Sequence, residues 1–231
     1  MKKDTTDPSP FYLMDDQQIH AIIKKLRKEL GKGAIPVVTR LAYEHQGPFI
    51  LLVSTILSSR TKDEVTAAAT DRLLALADNP QDMLKHSEAE IIKAIYPVGF
   101  YRNKARTILT VCGDLIERFN ARVPDTMEGL LSLKGVGRKT ANLVLSLAFH
   151  KASICVDTHV HRISNRLGYV KTATPQETEY ALQAKLPIVY WSIFNTLLVA
   201  FGRHICRPIS PLCSKCSIFK DCDKVGVINN R

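Results

Sequence analysis

Leu130-Leu131-Ser132-Leu133-Lys134-Gly135-Val136-Gly137-Arg138-Lys139-Thr140-Ala141-Asn142 is the stretch on which the reading of this chain turns. Its apolar residues close one helix near Ser132. A Gly-x-Gly turn then reverses the chain into a second apolar helix that runs on through Leu143, Val144 and Leu147. Gly135 and Gly137 permit positive φ and let backbone amides come close to another backbone. The second helix presents its first N–H groups and the positive end of its dipole outward, which makes a ready phosphate site. A lone Gly-x-Gly occurs in many loops. With Arg138 and Lys139 directly behind it, the favoured reading is a contact to a nucleic-acid backbone.

Working outward, helical periodicity dominates. Ile19, Ile22, Ile23, Leu26 and Leu30 fall on one face, with Gly31 and Gly33 as stop signals. Ser87 with Glu90, Asp125 with Glu128, and Thr174 with Glu177 have capping-box spacing, the last with Pro175 at the first helical position. No sustained strand alternation with hairpin turns is present, so the chain reads as all-α, with roughly ten helices joined by short loops. Residues 1–15 read as a flexible leader.

Thirty-two Lys and Arg against 22 Asp and Glu leave a net charge of +10, which favours a polyanionic partner, nucleic acid before an anionic membrane. The apolar stretch Phe49 to Leu57 is interrupted by Ser54 and Thr55 and falls far short of the ~20 residues of a spanning helix. Met1 to Pro10 is polar, without the apolar core of a secretory signal, so an intracellular location is expected. In a reducing compartment the cysteines are read for metal binding rather than disulfides. Cys206, Cys213, Cys216 and Cys222 are spaced C-x6-C-x2-C-x5-C, which suits either structural zinc or an iron–sulfur cluster. No His or carboxylate accompanies them as an open-site ligand, so the quartet reads as structural, with Arg203, Arg207, Lys215 and Lys220 around it. Cys112 and Cys155 sit in apolar helical contexts and read as buried small residues.

Three signals occur in order: the hairpin LKGVGRKTANLVL from Leu133 to Leu145, the segment Val156-Asp157-Thr158-His159-Val160-His161-Arg162, and the cysteine quartet. Together they resemble the endonuclease III family of helix–hairpin–helix DNA glycosylases, over a span from about Pro48 to Cys222. The resemblance implies a [4Fe-4S] cluster on the four cysteines. It implies Lys139 as the nucleophile and Asp157 as the catalytic carboxylate of a base-excision-repair DNA glycosylase with AP lyase activity. Such an enzyme removes oxidised pyrimidines from damaged double-stranded DNA and cuts 3′ of the abasic site by β-elimination. It also implies a metal cation at the hairpin carbonyls near Leu131, Leu133 and Val136, and a monomer.

Each assignment has a plainer competitor. A nucleophilic amine must be deprotonated, so partial burial and neighbouring cations such as Arg138 are expected to favour neutral Lys139; the competing role is a phosphate contact. Asp157 would support positive charge developing on the sugar, or serve as a helix N-cap, or both. His159 and Arg162 read as phosphate contacts or as structural hydrogen-bonders. Extruding a nucleotide leaves a hole to be filled, and the loops matching the family's fillers are 58–63 and 99–104. Phe100 would be the apolar wedge, with a core position as the competing reading. Arg60 departs from the family's usual Gln: it is donor-only, which points to a guanine partner through O6 and N7. The DNA contacts expected from the sequence are therefore Arg60, Phe100, Gly135, Gly137, Arg138, Thr140, His159 and Arg162.

The expected architecture is two helical lobes with the active site in the cleft between them, one lobe of residues 41–151 and one of 16–40 plus 152–231. Related glycosylases for mismatched adenine, thymine or uracil usually lack the lysine found here at 139. A non-enzymatic DNA-binding module would need neither Lys139 nor Asp157.

Overall fold

The computed structural model describes residues 14–30, 36–44 and 47–231. The leader up to residue 13, the Leu30 side chain and the Gly31 and Gly33 stop signals lie outside the described residues. Twelve α-helices and no strand are present among them. In chain order the helices are α1 (Asp16–Leu30), α2 (Val37–Glu44), α3 (Pro48–Ser58), α4 (Asp63–Leu74), α5 (Pro80–Met83), α6 (Glu88–Ile95), α7 (Tyr101–Phe119), α8 (Met127–Leu131), α9 (Arg138–Ala148), α10 (Thr158–Arg166), α11 (Pro175–Lys185) and α12 (Trp191–His204). Short 3-10 turns lie at Ile188–Tyr190, Cys213–Lys215 and Phe219–Asp221.

Two large hydrophobic cores organise these helices. The first gathers Leu52, Val53 and Ile56 of α3, Leu73 of α4, Ile91 and Ile95 of α6, Ile108, Val111 and Leu115 of α7, and Leu133 and Val144 of the hairpin. Helix α3 lies at its centre. Eight of its 11 residues are buried, and the hydroxyls of Ser54 and Thr55 are satisfied by donating back to the Leu51 carbonyl at 3.0 and 2.7 Å. The longest apolar stretch is thus a core helix, and no described helix is long and apolar enough to cross a membrane. The second core joins Ile19, Ile22, Ile23 and Leu26 of α1 to Val160 and Ile163 of α10, Leu182 of α11 and Phe194, Leu198 and Phe201 of α12. Helix α1, the first among the described residues, is therefore packed on the C-terminal half of the chain, held there by the face its 3.6-residue spacing defines.

A third, smaller core stitches the other two. Val37, Val38 and Leu41 of α2 pack with Leu51, Leu143 and Cys155. The expected lobe boundary at 40/41 falls inside this single helix, because the apolar face of α2 crosses it. Local signals fare unevenly. The capping box at Ser87 and Glu90 is complete. Thr174 caps α11 as expected, and Glu177 reaches back to the Ala173 N–H at 2.9 Å. The expected cap at Asp125 is corrected: Thr126 caps α8, accepting from the Gly129 N–H at 3.1 Å. The Asp125 carboxylate pairs instead with Lys151 at 2.7 Å.

Candidate active site

The hairpin is α8, its turn and α9. Gly135 has φ +85°, and a Cβ there would lie 2.7 Å from Thr107 Cγ2, so both conformation and space require glycine. Gly137 is the N-cap of α9 at φ −98° and needs no left-handed backbone. No side-chain oxygen caps α9, as none caps α3, α4, α7 or α12, whereas Asn79, Ser87, Thr126, Asp157 and Thr174 cap theirs. The first amides of α9 are left for an outside acceptor.

Lys139 stands in the first turn of α9 on the rim of a cavity of about 320 Å³, whose walls include Thr55, Ser59, Lys104, Thr107 and Thr140. It is exposed, contrary to the partial burial expected of it. Arg138 does not supply the expected free neighbouring cation either. Its guanidinium forms a two-point ion pair with Glu179 of α11 at 2.6 and 3.1 Å and lies over the Tyr180 ring at 5.2 Å. Glu179 is buried, and its hydrogen bonds push Arg138 above the usual guanidinium range. The pair ties the hairpin to the second core, so Arg138 joins the two halves of the molecule. Replacing Glu179 by Gln is expected to lower stability by about 1–3 kcal/mol, since the charged bond is lost while Arg138 keeps access to water; thermal or urea unfolding measures it. A second two-point ion pair, Arg203 of α12 with Asp63 of α4 at 2.5 and 2.9 Å, spans the same division. Burial alone would raise the Asp63 carboxyl, but Arg203 and the Val37 amide hold it below its ordinary value.

Asp157 arrives from the second core. Its Oδ1 accepts from the His159 and Val160 amides, both at 2.9 Å, making it the N-cap of α10. Two residues earlier, Cys155 is buried beneath the hairpin, with its Sγ 3.5 Å from the Lys139 carbonyl and its own carbonyl taken by Asn195 at 3.0 Å. The segment bearing Asp157 is thus fastened to the first turn of α9.

Of the other expected contacts, Phe100 is 59% exposed, so it is not core. Arg60 and Phe100 both adopt left-handed backbone, φ 51° and 59°, and the Arg60 guanidinium carbon lies 5.3 Å from the Phe100 ring centroid. Thr140 borders the Lys139 cavity. His159 and Arg162 turn inward. Arg162 Nη2 donates to the carbonyls of Gly202 and Cys206 at 3.3 and 2.9 Å and lies 3.0 Å from His159 Nδ1. Its charge therefore closes the C-terminal end of α12 instead of facing outward. Burial lowers His159 below its ordinary value, partly opposed by Asp157.

The four tail cysteines line one cavity with Ile163, Leu167, Phe201 and Ile218. Arg166 Nη1 approaches Cys206 Sγ at 3.4 Å, and the Lys224 amide approaches Cys222 Sγ at 3.4 Å. Burial pushes the Cys216 thiol up to about 11. Among the described residues no three His, Cys, Asp or Glu side chains converge on a single ion. The four sulfurs border one cavity, and four thiolates suit either zinc or an iron–sulfur cluster.

With this geometry established, the chain matches the HhH-GPD superfamily of base excision DNA repair proteins over residues 53–187, a span holding the hairpin, Lys139 and Asp157. It is 47% identical over 189 residues to endonuclease III of Thermotoga maritima, covering 81% of this chain and 89% of that protein. This chain belongs to the endonuclease III family. A trapped endonuclease III–DNA covalent intermediate superposes with TM-score 0.80 at 36% identity, covering 90% of this chain and 96% of that one. A thermostable thymine-DNA glycosylase also superposes, with TM-score 0.77 at 25% identity over 90% of this chain and 96% of that one. The all-α arrangement is accordingly that of the endonuclease III family. Sequence reasoning missed the pairings of Arg138 with Glu179, of Asp63 with Arg203 and of Lys104 with Leu57, Ser59 and Thr61, across 41 to 140 residues; Arg203, expected as a basic residue around the cysteine quartet, is committed to Asp63.

Proposed function

We propose that this endonuclease III family member removes oxidised pyrimidines from duplex DNA through Lys139 and then cuts the strand at the abasic site. It is a DNA glycosylase with AP lyase activity. The Lys139 amine attacks C1′ of the damaged nucleotide, a C1′–N bond forms and the glycosidic bond to the base breaks. The C1′–O4′ bond then opens, O4′ taking up a proton, to give the Schiff base; this acidifies the C2′ proton, and its loss drives the β-elimination that breaks the C3′–O3′ bond and releases the 3′ phosphate. Asp157 keeps one carboxylate oxygen on its cap and has the other available to face positive charge developing on the sugar. The observation that carries this reading is the Cys155–Lys139 contact, which sets the two expected catalytic residues on adjoining segments. The uncapped amides of α9, with Gly135, Gly137 and Thr140, would take a phosphate, while Arg60 and Phe100 would enter the duplex.

Cys206, Cys213, Cys216 and Cys222 would hold a [4Fe-4S] cluster, which supplies a structural crosslink for a tail poor in periodic apolar residues. Yellow-brown protein with about four irons per chain is expected, and colourless protein with one zinc would overturn the assignment. A cation at the hairpin would draw on Leu131, Leu133 and Val136; the Leu133 carbonyl already accepts from the Val136 N–H at 3.1 Å, leaving one lone pair.

Borohydride reduction on duplex DNA carrying an oxidised pyrimidine tests the mechanism. A covalent protein–DNA adduct is expected. Base release without an adduct would indicate a monofunctional glycosylase, and binding without chemistry on any lesion would indicate a binding module.

A further inference from the structure

Helix α7 buries one stripe: Lys104, Ala105, Ile108, Val111, Cys112 and Leu115. Lys104 is the charged member of that face, at a position where spacing alone would place an apolar residue, and it is 8% exposed. All three of its N–H donors are engaged, by the Leu57 carbonyl at 2.8 Å, the Ser59 carbonyl at 2.5 Å and Thr61 Oγ1 at 3.1 Å. Burial lowers the ammonium to about 8.

The acceptors flank one residue, Arg60, held in left-handed backbone that a non-glycine side chain disfavours. Thr61 Oγ1 also accepts the Gly99 N–H at 3.2 Å. A Cβ on Gly99 would run into the Arg60 carbonyl, so the two loops touch through their backbones. Gly99 leads directly into Phe100, whose ring lies against the Arg60 guanidinium. One ammonium, through one hydroxyl, thus connects both loops. We propose that Lys104 is a positioning residue that locks Arg60 and Phe100 into a single rigid probe of the duplex, acting through Thr61 and the α3 carbonyls. This rests on the reading of Arg60 and Phe100 as the residues that enter the duplex.

The test compares two substrates: single-turnover base release from a lesion in duplex DNA, and strand cleavage at an abasic site in a single-stranded oligonucleotide, where no partner strand has to be held open. Lys104→Met, Thr61→Val, Arg60→Ala and the Lys104→Met/Arg60→Ala double variant are assayed beside the parent. Lys104→Met and Arg60→Ala are each expected to lose tenfold or more on the duplex and less than threefold on the single strand. The double variant should be no worse than the weaker single, because both remove the same probe. Thr61→Val keeps the buried ammonium two acceptors, so it reports on the connection should Lys104→Met fold poorly; a duplex-selective loss is expected. Equal losses on both substrates would reduce Lys104 to a general structural role, and additive losses in the double variant would separate it from Arg60; either overturns the proposal. An unchanged duplex rate in Arg60→Ala overturns the reading of that loop itself, and with it the role assigned to Lys104.

Discussion

Lys139→Gln should yield no borohydride-trapped adduct and lose strand cleavage by at least ~10³-fold, while still binding duplex DNA. Glutamine keeps a long polar side chain and good helix propensity but offers no amine, so no Schiff base can form. The site makes the comparison clean. The Lys139 side chain is exposed and makes no hydrogen bond or ion pair among the described residues; the residue's contact with Cys155 is through its backbone carbonyl. Unfolding stability should therefore stay within about 0.5 kcal/mol of the parent. The main-chain amides of α9 and the ion pair of Arg138 are untouched, so DNA binding should persist. An adduct surviving in Lys139→Gln would assign the nucleophile elsewhere.

In the proposed mechanism Asp157 has two separable duties, and two substitutions divide them. Asparagine is as good an N-cap as aspartate, so Asp157→Asn should keep the bonds from the His159 and Val160 amides and leave stability nearly unchanged. It removes the negative charge, and base release should fall about 10²–10³-fold, the range found when an electrostatic group is removed from a preorganised site. Asp157→Ala should show that same loss of rate plus about 1 kcal/mol of stability from the missing cap. Single-turnover base release beside urea unfolding distinguishes the two. Equal activity in parent and Asp157→Asn would leave Asp157 as a cap alone.

The features legible in the sequence share a short range. The hairpin lies within 13 residues, the Asp157 cap acts over three, and the cysteine quartet spans 17, so spacing alone exposes each. The amphipathic face of α1 was readable for the same reason. The assembly around the site was not. Arg138 and Glu179 are 41 residues apart, and Asp63 and Arg203 are 140 apart; nothing in local periodicity pairs a surface-looking charge with one so distant. Read locally, Arg138 is a cation beside Lys139 and a DNA contact, where the fold pairs it with Glu179 of α11. Lys104 was invisible for a further reason. Two of its acceptors are backbone carbonyls, which every residue carries and no residue type announces. The same holds for Arg162, whose carbonyl partners at Gly202 and Cys206 turn a promising basic residue inward. Adjacent competition explains the misread cap of α8: Asp125 and Thr126 were both eligible, and Lys151 drew the aspartate away.

Glycine at the head of α9 leaves that helix with unmet bonding capacity that its own chain declines to fill. In the proposed complex a phosphate oxygen is what completes the helix, so the nucleic acid takes the place of a missing side chain. Such a handhold is blind to base identity, because it meets only the repeating part of the polymer, and it cannot be removed by trimming any side chain. An enzyme that must pass over vast stretches of sound DNA before meeting one altered nucleotide would be served by a grip of this kind: indifferent to what it passes, and always in register with the amine beside it.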